Sequence, residues 1–294
     1  MTKLLVTGAA GQLGRAVLHH LLETSKVAPG NIVAVSRNPE KLSEFADKGI
    51  ETRAADFDDE AGLVKAFTGV DRVLIVSTDE LATPGKRLTQ HRTAVSAAAK
   101  AGVGHIVYTS MPNPDRSLVS FAPDHLGTEQ AIKASGISYT ILRNSWYDDN
   151  YLRSMPHNLQ VGTWYTSMGS GKVANITRDD CARAAAAALA DPPAGSRVLT
   201  LTGPESLAAE EIAARASKAT GKPLDVVHVT DEQLTHGLTG AGLPDFVVKM
   251  LVSADANIRA GNFDLVTDDF EKLTGAKPQD LAAYFEAQKA ALTA

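Results

Sequence analysis

The chain has 294 residues, 44% hydrophobic and 21% charged, with a net charge of −5. That is enough chain for a large core, and it is too apolar for a disordered polypeptide. The acidic balance without a basic stripe argues against a nucleic-acid partner, a single cysteine, Cys181, excludes an internal disulfide, and no apolar run approaches the roughly 18 residues a bilayer span needs.

The chain enters a strand at Lys3 without a charged leader, so it reads as carrying neither signal nor transit peptide, and a soluble, cytoplasmic protein is expected. Short β-branched runs at residues 3–7, 31–36, 50–53, 72–76, 105–109 and 138–142 read as strands. Their apolar residues are nearly continuous, as strands covered on both faces require. Helical patterns lie between them at residues 12–23, 40–46, 60–67, 89–101 and 124–135, and Gly102 and Gly136 stand where the last two need C-terminal caps. Such alternation predicts an α/β fold, a doubly wound parallel sheet of Rossmann type.

Beyond residue 145 the pattern loosens, and aromatics, Gly and Pro crowd residues 146–171. A helix at 179–190, a strand at 197–202, a helix at 207–219 capped by Ser206 with Glu210 as its box partner, and a strand at 224–229 follow. The remainder is mainly helical. The expected division is a nucleotide-binding domain over 1–145 and a smaller, mainly helical substrate lobe over 146–294, with the 197–202 strand returning to the main sheet. Cys181, inside the run DDCARAAAAALA, reads as a small core residue. No His/Cys cluster has zinc spacing, and no metal is expected.

The strongest signal is Thr7-Gly8-Ala9-Ala10-Gly11-Gln12-Leu13-Gly14, between the first strand and the first helix. A turn that brings main-chain amides against a pyrophosphate has no room for side chains, and Gly8 and Gly11 supply that freedom. Gly14 lets the helix pack close, and the helix N-terminus meets the phosphates. The second strand ends in Ser36-Arg37-Asn38-Pro39, where an NAD site would carry a carboxylate for the ribose 2′-OH. Arg37 suits a 2′-phosphate, with Lys41 one turn along, so NADPH is the expected cofactor. Asp56 and Phe57 follow the third strand, where they flank the adenine or, for Asp56, equally cap a loop. Ser77 and Thr78 follow the fourth and face ribose or diphosphate. Tyr108, Thr109 and Ser110 end the fifth, near the expected nicotinamide.

Short-chain dehydrogenases pass a proton from a Tyr-x-x-x-Lys pair on the helix after the fifth strand. No lysine here has a tyrosine four residues before it. That helix carries His125 and Glu129 on one face instead, and His125 is the one candidate acid, with a helix-surface ion pair to Glu129 as the alternative. Ketone reduction generates an alkoxide that needs an acid close by. Quinone reduction generates a stabilised hydroquinone anion, for which orientation suffices.

The runs TGAAGQLG, SRNPEK, AADFDD, QHR, VYTS, HLGTE, LRNSWYDDNYLRSMP and GSGKVANITRDDCA together resemble the NmrA-like atypical short-chain reductases, within them most closely the bacterial type 2 NADPH:quinone oxidoreductases, with triphenylmethane dye reductases as relatives. The resemblance covers nearly the whole chain. It implies that Gly8, Ala9, Ala10, Gly11, Gln12 and Leu13 hold the pyrophosphate and Arg37 the 2′-phosphate. It also implies that Asn144, Ser145, Trp146, Tyr147, Asp148 and Asp149 run beside the nicotinamide, while Trp146, Tyr147 and Tyr151 line the acceptor pocket; a packing seam is the plainer reading of that stretch. The expectation is an NADPH-dependent reductase of a quinone or similar planar electrophile, with two alternatives: a dye, enone or imine reductase of the same fold, or a redox-sensing regulator that binds NADP(H) without turnover. Expected partners are a small quinone-like acceptor and, at most, a second copy in a homodimer, with no nucleic acid and no membrane insertion.

Overall fold

The computed structural model describes residues 2–294. The first half alternates as the periodicity predicts: β1 (Leu4–Val6), α1 (Gln12–Glu23), β2 (Ile32–Ser36), α2 (Ser43–Ala46), β3 (Glu51–Ala54), α3 (Glu60–Phe67), β4 (Arg72–Ile75), α4 (Lys86–Lys100), β5 (His105–Ser110), α5 (Ala122–Ala134) and β6 (Ser138–Asn144). Then come α6 (Met155–Val161), β7 (Thr163–Thr166), α7 (Arg178–Ala190), β8 (Arg197–Leu201), α8 (Ala209–Thr220), β9 (Asp225–His228), α9 (Asp231–Gly240), α10 (Asp245–Arg259), α11 (Asp269–Thr274), α12 (Leu281–Ala287) and α13 (Lys289–Thr293).

A seven-stranded sheet runs in the order β3-β2-β1-β4-β5-β6-β8, and its pairs from β3 to β6 are parallel. The strand order reverses between β1 and β4, the place where doubly wound sheets bind ligands at their carboxyl edge. The 197–202 segment does return to the main sheet, as β8 on its edge. Leu5, Val33, Val73, Ile75, Ile106 and Ile141 from five strands form a core with Leu63, Phe67, Ala94 and Ala98 of α3 and α4, and this two-sided burial is what made the strands continuous apolar runs. Gly102 and Gly136 end α4 and α5 at φ +74°, the left-handed cap conformation that a side chain resists.

Several boundaries differ from expectation for identifiable reasons. The helix expected over 40–46 is a 3₁₀ turn, Pro39–Leu42, followed by the short α2. α8 begins at Ala209, with Ala208 as its N-terminal cap and the Glu211 carboxylate accepting the Ala208 N–H at 2.9 Å. Ser206 is not the cap, because its hydroxyl donates to Asp264 at 2.7 Å, and Glu210 takes His228 instead. Residues 146–171 hold a 3₁₀ segment (Asp148–Arg153), α6 and β7, and β7 pairs in parallel with β9 as a separate two-stranded sheet.

The chain forms two compact units. The first contains Met1–Met111, Asp124–Arg143 and Asp179–Leu199, and the second contains Pro112–Pro123, Asn144–Arg178 and Thr200–Ala294. Within the first, α7 is tied to β4 by the Arg72 guanidinium, which donates to the carbonyls of Leu189 and Ala190. Cys181 on α7 is fully buried. Within the second, Gly171 and Gly203 allow backbones to touch: a Cβ on Gly203 would lie 2.0 Å from the Asn175 carbonyl oxygen, and one on Gly171 would lie 2.4 Å from that of Ile258.

Candidate functional site

Because β1 to β5 are parallel, the residues that follow them emerge at one edge of the sheet: Gly8 after β1, Arg37 after β2, Asp56 and Phe57 after β3, and Ser77 and Thr78 after β4. Adjacent strands lie roughly 5 Å apart, so the glycine turn has Arg37 one strand to one side and Ser77 one strand to the other.

The turn is built around Gly8, which sits at φ +59°. Gly11 is extended, at φ −80°, so backbone conformation requires glycine only at Gly8, although a Cβ on Gly11 would lie 3.3 Å from the Gly8 carbonyl oxygen. Gly14 is required for another reason. A Cβ there would lie 2.3 Å from the Gly8 carbonyl oxygen and 2.8 Å from the Ala9 Cα, both backbone atoms that cannot yield. Two of the turn's amides are taken internally: Ala9 N–H donates to Val35 C=O at 3.0 Å and Gly11 N–H to Gly8 C=O at 2.9 Å. No side chain caps α1, and its first turn has no acidic residue. A helix start left this way attracts an anion through its unpaired amides and partial positive charge.

Arg37 is exposed. Its charge helps hold the Asp58 carboxyl below its ordinary range, although the main causes there are the hydrogen bond from Gln90 and the Lys86 ammonium. Gln90 Nε2 donates to Asp58 Oδ1 at 3.1 Å, and Lys86 stands 3.3 Å from Oδ2. Asp58 is thus partnered without Arg37. Asp56, Phe57, Ser77 and Thr78 are half-buried, and Asp56 does serve as a loop cap, accepting the Asp58 N–H at 3.0 Å.

The candidate acid has a different setting from the one its sequence suggested. His125 is 4% exposed, not on a helix surface. Arg87 Nη2 reaches its Nε2 at 3.0 Å, and Tyr108 Oη lies 2.8 Å from its Nδ1. A guanidinium can only donate, so Nε2 accepts and the ring proton sits on Nδ1, directed to the tyrosine. Burial, with the Arg87 charge second and His91 third, pushes the His125 imidazolium well below the ordinary histidine range. Nor does Glu129 pair with His125. It is fully buried and bound by Arg143 through Nε at 2.9 Å and Nη2 at 2.8 Å, with the Ser110 hydroxyl at 2.7 Å. Tyr108 is also fully buried, and burial raises its hydroxyl pKa.

In the second unit, Asn144 Nδ2 donates to the Tyr147 hydroxyl at 3.0 Å, and the Arg178 guanidinium stands 5.2 Å from the Tyr147 ring centre. Asp149 accepts from both the backbone and the side chain of Arg178, each at 2.8 Å. Asp148 is buried and Trp146 is half-buried against Phe263. Ser145 Oγ and Asn144 Oδ1 are buried acceptors with no protein partner among the described residues. Tyr151 is packed between Trp164 and Phe285, with its hydroxyl donating to Asn175 at 3.1 Å, the environment of a core residue.

Residues 1–285 match the NmrA-like family. The chain belongs to that family. It is 38% identical to quinone oxidoreductase 2 of Escherichia coli (strain K12) over 94% of this chain and 95% of that one, and 31% identical to the NAD(P)H azoreductase of Xenophilus azovorans over 99% of both. Among family structures, the NADPH-dependent quinone oxidoreductase of Escherichia coli complexed with NADPH superposes with a TM-score of 0.92 at 36% identity, covering 97% of this chain and 99% of that one. The Citrobacter sp. triphenylmethane reductase complexed with NADP(H) superposes at 0.91 and 34% identity, covering 98% and 100%. The family resemblance read from the motifs is therefore established, as is the doubly wound fold. Among the described residues no helix is long and apolar enough to cross a membrane, and no group of three or more His, Cys, Asp or Glu is placed to hold a metal.

Proposed function

We propose that the protein is an NADPH-dependent oxidoreductase that delivers hydride to a quinone or a similarly planar electrophile. The observation that carries this reading is that, among the described residues, β5 and α5 offer no free proton donor in place of the missing Tyr/Lys pair. His125 and Tyr108, the two groups nearest in kind to the missing Tyr/Lys pair, are buried and hydrogen-bonded to each other, and Glu129 is an ion-paired carboxylate. Such a site suits an acceptor whose reduced anion is stable in itself. The similarity to quinone, azo and triphenylmethane reductases points the same way.

The first unit fits the cofactor. The Gly8 turn and the uncapped start of α1 would hold the pyrophosphate, and Arg37 would hold the 2′-phosphate, since residues 36–39 at the end of β2 carry no carboxylate. When bound, NADPH supplies the hydride. Asn144 to Asp149, with the Asn144–Tyr147 and Asp149–Arg178 contacts fixing their conformation, are the proposed reactive-end segment; the half-buried Trp146 and Tyr147 offer flat faces to a planar acceptor, worth about 0.5–1.5 kcal/mol beyond area burial. A reducing, cytoplasmic setting is part of the proposal, supported by a single, buried cysteine.

The test is a titration of NADPH and NADH against wild type and Arg37→Ala, followed by NADPH oxidation with a benzoquinone and a naphthoquinone. Loss of one charge-assisted contact should weaken NADPH by about tenfold to a hundredfold and leave NADH unchanged. Equal affinity for both cofactors in wild type would overturn the 2′-phosphate assignment, and NADPH binding without turnover of any quinone or dye would convert the enzyme into a sensor.

A further inference from the structure

Three successive amides after β4 are all held by side chains. Val76 N–H donates to Thr7 Oγ1 at 3.0 Å, Ser77 N–H to Thr109 Oγ1 at 2.9 Å and Thr78 N–H to His91 Nε2 at 2.9 Å. The Thr78 carbonyl accepts from Arg87 Nε at 2.7 Å. Arg87 and His91 are one turn apart on α4, so a single helix grips the N–H and the C=O of one loop residue.

The grip is braced from behind. With Nε2 accepting, the His91 proton sits on Nδ1 and is donated to Thr128 Oγ1 at 2.9 Å, and the Thr128 hydroxyl donates to the Asp124 carbonyl at 2.6 Å. Arg87 is braced by His125, and His125 by Tyr108. Arg87, His91, Tyr108, His125 and Thr128 are each at most 5% exposed. A buried polar network of this size is costly unless it is satisfied, and two of its arms end on Thr78. Residues 76–78 lie beside the glycine turn: a Cβ built on Gly8 would stand 3.4 Å from the Val76 Cβ.

With its amides taken, the segment cannot donate main-chain hydrogen bonds to a phosphate. What it offers are the hydroxyls of Ser77 and Thr78, groups that match sugar hydroxyls. We propose that His91 is a positioning residue which, through the Thr78 amide, holds residues 76–78 in the shape that receives a ribose of the bound dinucleotide. The inference rests on the NADPH reading above and assigns ribose, rather than diphosphate, to this loop.

Two isosteres separate this role from plain packing. In His91→Gln the amide end falls where Nε2 was and can still accept from Thr78. In His91→Asn it falls where Nδ1 was and keeps only the Thr128 side, and His91→Leu keeps neither. The full-length variants are compared for NADPH dissociation constant, for kcat with benzoquinone at saturating NADPH, and for exchange of the Thr78 amide. Gln should stay within about threefold of wild type in NADPH affinity, while Asn and Leu weaken it by at least about tenfold, with kcat changed less than about threefold and the Thr78 amide exchanging faster. Rescue by Asn and not by Gln, or unaltered affinity in all three, would overturn the proposal. Should Asn and Leu fail to fold, the wild type decides: slow exchange at residues 76–78 before cofactor is added supports a preformed loop, and fast exchange refutes it. Wild type that binds no NADPH would sink the cofactor reading instead.

Discussion

Lowering the pH from 7.5 to 5 should destabilise the first unit severely, and the cause is its buried histidines. Burial, with Arg87 second, pushes His91 down to about 3, and burial, with Arg72 second, pushes His105 down to about 4, while His125 lies well below the ordinary value. In the unfolded chain each ring titrates near 6.5. A folded pKa below the unfolded one means that the unfolded state binds the extra proton, so this stability is complete above about pH 7.5. It is lost as pH falls through 6.5 and goes on falling until the folded pKa is reached. At pH 5, about 1.5 pH units below the unfolded value, His91 and His105 each cost roughly 2 kcal/mol, or about 4 kcal/mol together, and His125 adds to this in the same direction. That rivals the roughly 5–15 kcal/mol that holds a folded domain together. Asp124, whose carboxyl burial raises, works in the opposite direction, since a raised folded pKa adds stability as pH falls. The carboxyls held low by ion pairs, such as Glu51, matter mainly below pH 5. The assay is urea unfolding at constant ionic strength followed by far-UV circular dichroism, because Trp146 and Trp164 both lie in the second unit and their fluorescence reports on that unit. His105→Gln should remove about 2 kcal/mol of the loss at pH 5. A midpoint unchanged between pH 7.5 and 5 would refute the argument.

Gly14→Ala forces a Cβ into the Gly8–Ala9 backbone, and should cost about 1–3 kcal/mol in thermal unfolding together with at least a tenfold loss in an NADPH titration. Glu129→Gln leaves the Arg143 guanidinium facing a neutral amide. Arg143 is partly exposed, so the expected loss is roughly 3 kcal/mol, at the lower end for a broken buried pair; urea unfolding measures it, and adding Arg143→Gln should return part of the loss. Gly203→Ala, with a Cβ 2.0 Å from the Asn175 oxygen, should lower the fluorescence-detected transition of the second unit while leaving NADPH affinity unchanged in direct titration.

The first half was legible because its central strands β1, β2, β4, β5 and β6 are largely buried, so local periodicity and burial coincide; the edge strand β3, with no buried residue, is the exception. The glycine turn could be read for the same reason, since Gly8 and Gly14 answer to backbone geometry within the turn itself. Elements specified by distant partners were harder to see. β7 is a four-residue strand whose Tyr165 is 57% exposed, and nothing local distinguishes it from a loop until β9, some sixty residues later, pairs with it. Ser206 looked like a helix cap because Asp264, which holds its hydroxyl, is far along the chain. His125 and Glu129 looked like a surface pair because apolar periodicity is blind to polar residues that face polar residues: Tyr108 and Ser110 on β5 wait for them in the interior. The signal that would have helped is the polar content of β5 itself, a fully buried strand that carries His105, Tyr108, Thr109 and Ser110.

The first unit is not a contiguous stretch of chain: after β6 the polypeptide leaves for residues 144–178 and then returns as α7 and β8. A ribosome delivering this chain would therefore expose β6 as an open strand edge until residue 201 has emerged, and open edges are where nascent chains stick to one another. Shortening the gene after residue 145 would make that transient state permanent, so expression of the N-terminal half alone should yield aggregate, whereas the same half with residues 179–201 fused after residue 143 through a short linker should stay in solution.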